Sequence, residues 1–567
     1  MSDTPPEILQ EIFQRLVERT DDLYSLLFVN RHWCANAIVA LWRSPFYYAK
    51  SQRKVIDTYL LCLPKKSLRR LGLEHVIRDQ NPLFNYPAYL KSFSIKDIFC
   101  AVEDWYVSAY SKIWRRSDNI QSNLQIEDLW LHEYQIVTEI CNLIANKSIA
   151  LESFSIDILD LEIAEILSGY DIEFWKEIEA RHQITFNLTL SNEITYPCEF
   201  DIENMEIIQD VITSLLKNAT HLLKKIRRFE CGGSLLFEAP ELLKMISSIA
   251  TNIETFIVSA PEENEHLELA EEDIIRFIQT QNRLRKIKFR EWCFETCDVA
   301  ECLSVRHATL RELEFHGCTF FRNDALKGLH LCTGLESLKF IDVAGVTSNV
   351  LDTISNTIFP NLKHLTFSQH YTCIDEDEEY PSVQLISIIA NNSKFLHSLC
   401  LTQIQFEWYT GVLPTLTQCK NLRKLQLQIE KYEEFLVFYE VLNACKNLRS
   451  LEILGEVSPR EQQQWPLTNG NEVFVEMAQH IPSSLEYLLI SLSFLYSPTE
   501  FATFLEYLKH MPRRIILEVK MFEYWFLQTM LKYANNAGRK VIDSRIEESP
   551  RSSKLKRVSI KLDKRNA

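Results

Sequence analysis

The stretch Cys419-Lys420-Asn421-Leu422-Arg423-Lys424-Leu425-Gln426-Leu427 returns 26 residues later as Cys445-Lys446-Asn447-Leu448-Arg449-Ser450-Leu451-Glu452-Ile453. Its core is L-x-x-L-x-L. The last two apolar positions alternate at the period of a strand buried on one face, and the first closes the turn that leads into it. Working outward, the pattern recurs at Leu310/Leu313/Phe315, Leu335/Leu338/Phe340, Leu362/Leu365/Phe367, Leu396/Leu399/Leu401 and Leu485/Leu488/Ile490. Weaker copies stand at Ile126/Leu129/Leu131, Leu151/Phe154/Ile156, Ile226/Phe229/Cys231, Ile253/Phe256/Val258 and Leu284/Ile287/Phe289. From Leu284 onward most intervals are 25–27 residues; two are longer, at 34 and 37. A unit this short cannot bury its apolar face alone, so the pattern predicts stacked units sharing one continuous core. Cys419 and Cys445, three residues before the first Leu, are expected as small buried thiols.

Composition agrees with such an array. The chain has 567 residues, 46% apolar and 24% charged, which excludes disorder as its main state. Only 12 residues are glycine, which weighs against phosphate-cradling loops. The formal charge of -16 disfavours nucleic acid and anionic membranes as partners, since both are held chiefly by Lys and Arg. No apolar run approaches the roughly 20 residues needed to span a bilayer. The 15 cysteines are odd in number and scattered, and Met1-Ser2-Asp3 opens no secretory leader, so free thiols and a cytoplasmic location are expected.

The first fifty residues follow a different period. Pro5-Pro6-Glu7 precedes Ile8, Leu9, Ile12, Phe13 and Leu16, whose spacing places them on one side of a short helix. Pro6 suits a first turn and Glu7 the positive end of the helix dipole. A second helix is predicted from Asp21 or Asp22 through Leu26 and Val29, and a third around Trp33 to Leu41-Trp42. Three helices of this size make a marginal core.

Pro5-Pro6-Glu7-Ile8-Leu9, Ile12-Phe13, Leu16, Leu26, Val29-Asn30-Arg31-His32-Trp33 and Leu41-Trp42 together resemble an F-box, over residues 4–46. Thr4 stands where that family usually has Leu. The resemblance implies docking on the Skp adaptor and, through it, on the cullin and RING subunits of a ubiquitin ligase. Pro5, Pro6, Glu7, Ile8, Ile12 and Phe13 would line the docking edge, joined by Leu26, Val29 and Trp33. With the repeats, the chain resembles F-box proteins with leucine-rich repeats. The implied fold is α/β: a three-helix F-box followed by a curved leucine-rich-repeat solenoid, with parallel strands on the concave side and helices on the convex side.

The expected organisation is an F-box at 1–46, a helical connector at 47–120, the solenoid at 121–535 and a basic flexible tail at 536–567. The solenoid is irregular at 157–225, where Phe186, Leu188 and Leu190 form the one plausible strand. Residues 539–567 carry +6, leaving -22 elsewhere, and Lys554-Leu555-Lys556-Arg557 is a candidate nuclear address, read first as a solvated tail.

Strand alternation also names the outward positions of each copy. Candidate substrate-facing residues are Lys286, Lys288, Arg290, Glu312, Glu314, His316, Lys339, His364, Lys424, Gln426 and Tyr487, with Trp465 in the long insertion 459–471. The lysine rung at 286–290 lies beside the glutamate rung at 312–314, so mutual neutralisation is expected. The acidic run Asp375 to Glu379 is expected to be a solvated loop.

No nucleotide-binding, nucleophile-elbow or zincin motif is present. Cys293, Cys297, Cys302 and His307 have the composition of a metal set, but a strand-to-helix segment spreads them over different faces. No cofactor and no catalysis are therefore expected. The implied function is that of a substrate-recognition subunit for ubiquitin-dependent proteasomal degradation. The alternative is a leucine-rich-repeat interaction scaffold that engages no ligase.

Overall fold

A computed structural model describes residues 4–16, 20–48, 52–77, 81–114, 126–157, 212–213, 216–232, 240–260, 267–294, 299–369, 382–402, 406–429, 432–455, 470–492, 502–504, 506–507, 516–520, 532, 539–548 and 556–564. The fold is mixed α/β, with amino-terminal helices followed by parallel strands, in two compact units, Met1–Leu284 and Arg285–Ala567.

The amino-terminal unit begins with α1 (Pro6–Arg15), α2 (Thr20–Leu26) and α3 (Arg31–Leu41). Asn30 caps α3 by accepting the Trp33 N–H at 2.8 Å, and the His32 Nε2–H donates to the Thr4 carbonyl at 3.0 Å. Four parallel strands follow: β1 (Ser92–Ser94), β2 (Ser153–Asp157), β3 (Arg228–Gly232) and β4 (Thr255–Ser259). Phe93, Phe154, Phe229 and Phe256 stack along their buried face with centroids 5.4, 6.2 and 5.9 Å apart.

Two expectations fail here. The strands begin inside the stretch expected to be a purely helical connector, because Leu90-Lys91-Ser92-Phe93-Ser94-Ile95 is itself an L-x-x-L-x-L copy with Phe in the middle position and Ile in the last. Ile126/Leu129/Leu131 is no strand but the start of the helix Ile126–Lys147, whose apolar stripe continues through Ile136, Ile140 and Ile144. Phe186, Leu188 and Leu190 lie outside the described residues.

In the carboxyl-terminal unit the parallel order is β5 (Lys286–Arg290), then β7 (Glu312–His316), β9 (Ser337–Val343), β10 (His364–Gln369), β11 (Ser398–Thr402), β12 (Lys424–Gln428), β13 (Ser450–Gly455), β14 (Tyr487–Leu492) and β15 (Ile516–Lys520). The short β6 (Cys293–Phe294) and β8 (Thr319–Phe320) pair beside them. Helices such as Ser348–Ser355, Ser382–Asn392, Phe406–Leu416 and Tyr432–Ala444 alternate with the strands, each packing on the next. Within this unit Phe289, Phe315, Phe340 and Phe367 form an aromatic column, with centroids 5.7, 5.3 and 5.7 Å apart. Cys332, Cys419 and Cys445 are fully buried, and burial pushes their thiols up to about 11, about 12 and about 11. They pack; they do not react.

One backbone device recurs. In most of the described strands the residue just before the strand uses its carbonyl to accept two successive N–H groups from the next rung. Arg311 and Glu312 donate to the Arg285 carbonyl, Glu336 and Ser337 to Arg311, Lys363 and His364 to Glu336, and Arg449 and Ser450 to Arg423. In the amino-terminal unit, Lys91 serves Glu152 and Ser153 in the same way, and Arg43, just beyond α3, serves Lys91 and Ser92.

The basic end of the chain is not the featureless tail that its lack of a helical stripe predicted. Arg539–Glu548 (β16) and Lys556–Lys564 (β17) form an antiparallel hairpin, whose register sets Val541 opposite Leu562 and Ile546 opposite Val558. The second strand alternates at period two, with Val558, Ile560 and Leu562, which is the strand signature. Lys554 and Leu555, the first half of the candidate nuclear address, lie outside the described residues.

Candidate functional site

The helix α1 splits its apolar residues between two faces. Leu9 and Phe13, four apart, point inward and join Leu23, Ala37, Ala40 and Leu41 in a small core. Ile8 and Ile12, also four apart, remain about half exposed at 51% and 47%. Pro5, Pro6 and Glu7 lead into this face and are exposed. Phe13, expected on the docking edge, is instead 0% exposed, with its ring 5.5 Å from Trp33. It is a core residue because one step along a helix rotates a side chain by about 100°, moving Phe13 away from Ile12. Leu26 and Trp33 are each partly buried against the same core and partly accessible. Val29 does stay exposed, at 53%.

Phe28 is the largest feature that the sequence reading missed. It is 87% exposed, in the turn after α2 and beside Val29. The signal was the run Leu26-Leu27-Phe28-Val29: an amphipathic turn cannot bury four consecutive apolar side chains, so part of the run must face outward. Ile8, Ile12, Tyr24, Phe28 and Val29 thus form the exposed apolar complement of a very small core. A monomer rarely exposes so much apolar surface on so few residues without a partner to cover it.

The outward strand positions of the carboxyl-terminal unit look quite different. The register sets Lys286 opposite Glu312 and Lys288 opposite Glu314, and both pairs close as ion pairs, at 2.9 and 2.6 Å. Lys339, on the other side of Glu314, approaches the same carboxylate at 3.5 Å. Burial pushes the Glu314 carboxyl up, yet the Lys288 hydrogen bond and the charges of Lys288, Lys339 and Lys286 outweigh it and hold the carboxyl below its ordinary range. Arg290 lies in register with His316. Lys424 pairs with Glu452 at 2.7 Å, and Gln426 lies between Cys400 and Glu452. His364 sits between Ser337 and Ser398; partial burial, then His397 and Lys339, lower its proton affinity. Tyr487 lies opposite Ser450. Trp465 and the acidic run 375–379 fall outside the described residues.

In the amino-terminal unit, an open cleft of about 480 Å³ is rimmed by Lys224, Lys225, Arg227 and Arg283, with Glu152 and Glu254. Glu152 is engaged by Arg43, and Arg227 approaches Glu254 at 4.0 Å. Among the described residues no group of His, Cys, Asp and Glu is arranged to hold a metal ion, and no helix is long and apolar enough to cross a membrane.

The chain matches no curated protein. A family model described as F-box-like matches residues 1–48, so the helices α1 to α3, with their exposed apolar residues, are an F-box-like domain.

Proposed function

We propose that this chain is the substrate-recognition subunit of a cullin-RING ubiquitin ligase of the SCF type. Its F-box-like domain binds the Skp adaptor, and through the adaptor the cullin and RING subunits. The strand-helix units act as leucine-rich repeats of a curved solenoid that holds a target protein for ubiquitin-dependent proteasomal degradation. The chain is non-catalytic; the ligase modifies the held target through proximity. This activity belongs in the cytoplasm, with access to the nucleus.

The observation that carries the reading is the exposure of Ile8, Ile12, Phe28 and Val29 on a domain matched to the F-box-like family. Large apolar side chains beside a well-packed core have the form of interface anchors. Capture of the Skp adaptor and cullin on the tagged full chain tests it. Recovery of both, and their loss in Ile8→Asp/Ile12→Asp, is the expected result. Failure to recover either from the wild type and from Thr4→Leu, which restores the apolar residue usual in the family, would leave only the scaffold reading.

A further inference from the structure

The turn before the first apolar residue of three successive repeats carries a lysine: Lys394 before Leu396, Lys420 before Leu422 and Lys446 before Leu448. The backbone fixes these turns one above the next. Asn421 Nδ2 donates to the Lys394 carbonyl at 2.8 Å, Asn447 Nδ2 to the Lys420 carbonyl at 3.0 Å, and Ser484 Oγ to the Lys446 carbonyl at 2.7 Å. Adjacent rungs are therefore separated by about the strand spacing of 4.8 Å. That is inside the Debye length of about 8 Å at physiological salt, so the three ammonium groups and the exposed Arg423 beside them repel one another.

Elsewhere on the same edge the molecule neutralises such charges from the neighbouring rung. Lys363 meets Glu336 at 2.7 Å and Arg449 approaches Glu486 at 3.9 Å. Among the described residues no carboxylate pairs with Lys394, Lys420, Arg423 or Lys446. A chain of net charge -16 thus holds, among its described residues, four cations without a carboxylate partner, in a register that its own side chains lock.

We propose that this rim is a docking surface for an acidic segment of a partner protein, rich in Asp and Glu. Segments 394–397, 420–423 and 446–449 contain two ring-bearing residues, Phe395 and His397, both half-buried, so the rim offers no fully exposed platform on which bases could stack. A long polyphosphate backbone also extends beyond the rim into the field of an acidic molecule, whereas a short carboxylate segment meets only the local cations. The surface lies at the strand-entry edge, apart from the outward strand positions proposed to hold the target.

The test is fluorescence anisotropy of a labelled short poly-glutamate peptide on the full chain. Binding is expected that weakens as salt rises from about 50 to about 300 mM. Lys394→Gln/Lys420→Gln/Lys446→Gln is expected to weaken it about tenfold or more, and Arg423→Gln several-fold, at unchanged circular dichroism. Lys363→Gln, which removes a cation already paired, is expected to change it less than about twofold. If the triple variant does not fold, the three single variants carry the same comparison. The proposal is overturned if the wild type does not bind the peptide, if the rim variants bind as tightly as the wild type, or if Lys363→Gln weakens binding as much as they do. It is also overturned if a single-stranded oligouridylate binds the rim more tightly than the peptide.

Discussion

The helix α1 and the strand pair β5/β7 each present a row of side chains outward, and the rows are chemical opposites. On α1 the outward row is Ile8 and Ile12; on the strands it is Lys286 and Lys288 against Glu312 and Glu314. The inward rows are alike, Leu9 and Phe13 in one case and Phe289 and Phe315 in the other, all essentially inaccessible. Burial is thus equally good in both, and what differs is how far each element is finished. The strands satisfy their outward charges within the chain. The helix leaves an apolar surface that nothing among the described residues covers, and an unfinished surface is a better pointer to a partner than a conspicuous charge.

This contrast can be broken by mutation. The largest effect is expected where the two regions agree: Phe13→Ala and Phe315→Ala should each cost about 3–5 kcal/mol, measured by urea denaturation, since both delete a fully buried ring. Next comes the outward helical row. Ile12→Ala/Phe28→Ala should leave urea stability within about 0.5 kcal/mol while costing about 2 kcal/mol or more in adaptor binding by calorimetry. A large stability loss would move these residues from surface to core. On the strands, Glu314→Gln should cost about 1 kcal/mol of stability at neutral pH. Because the folded carboxyl is held low, its contribution is present above the unfolded glutamate value, roughly pH 4.3, and is lost as pH falls through the folded value. The gap between wild type and variant should therefore close on acidification; a constant gap would assign the effect to packing. The smallest effect is expected from Asn421→Ala, less than about 1 kcal/mol, for one exposed side-chain hydrogen bond to backbone.

Much of the strand architecture was legible because its period is two: a residue is either in or out, and neighbouring copies repeat the answer. The pairing of Lys286 with Glu312 and Lys288 with Glu314 followed from register alone. The helical face was harder to read, because a stripe of five apolar residues is wider than the buried sector, so spacing did not separate Phe13 from Ile12. β1 was legible in the same pattern, since Leu90/Phe93/Ile95 matches Leu151/Phe154/Ile156 residue type for residue type, but it stands in a stretch expected to be helical throughout. The helix at 126–147 was misread for the converse reason: Ile126 and Leu129 satisfy an i, i+3 helical spacing as well as the repeat. The hairpin of β16 and β17 was missed because the absence of a helical stripe was read as the absence of any stripe. Phe28 was visible in principle, in a run too apolar for one turn to hide.

The Arg43 carbonyl bears on how this molecule should be taken apart. It accepts the Lys91 and Ser92 N–H groups at 2.9 and 3.1 Å, the place that a preceding repeat fills on every later rung shown. The F-box-like helices therefore act as rung zero of the amino-terminal strands. Deleting residues 1–48 would strip two donors of their acceptor and leave β1 with a raw edge, open to mispairing between molecules. A truncated chain that lost its target would then say as much about fraying as about recruitment. Point changes at Ile8 and Ile12, which leave Arg43 in place, separate the two.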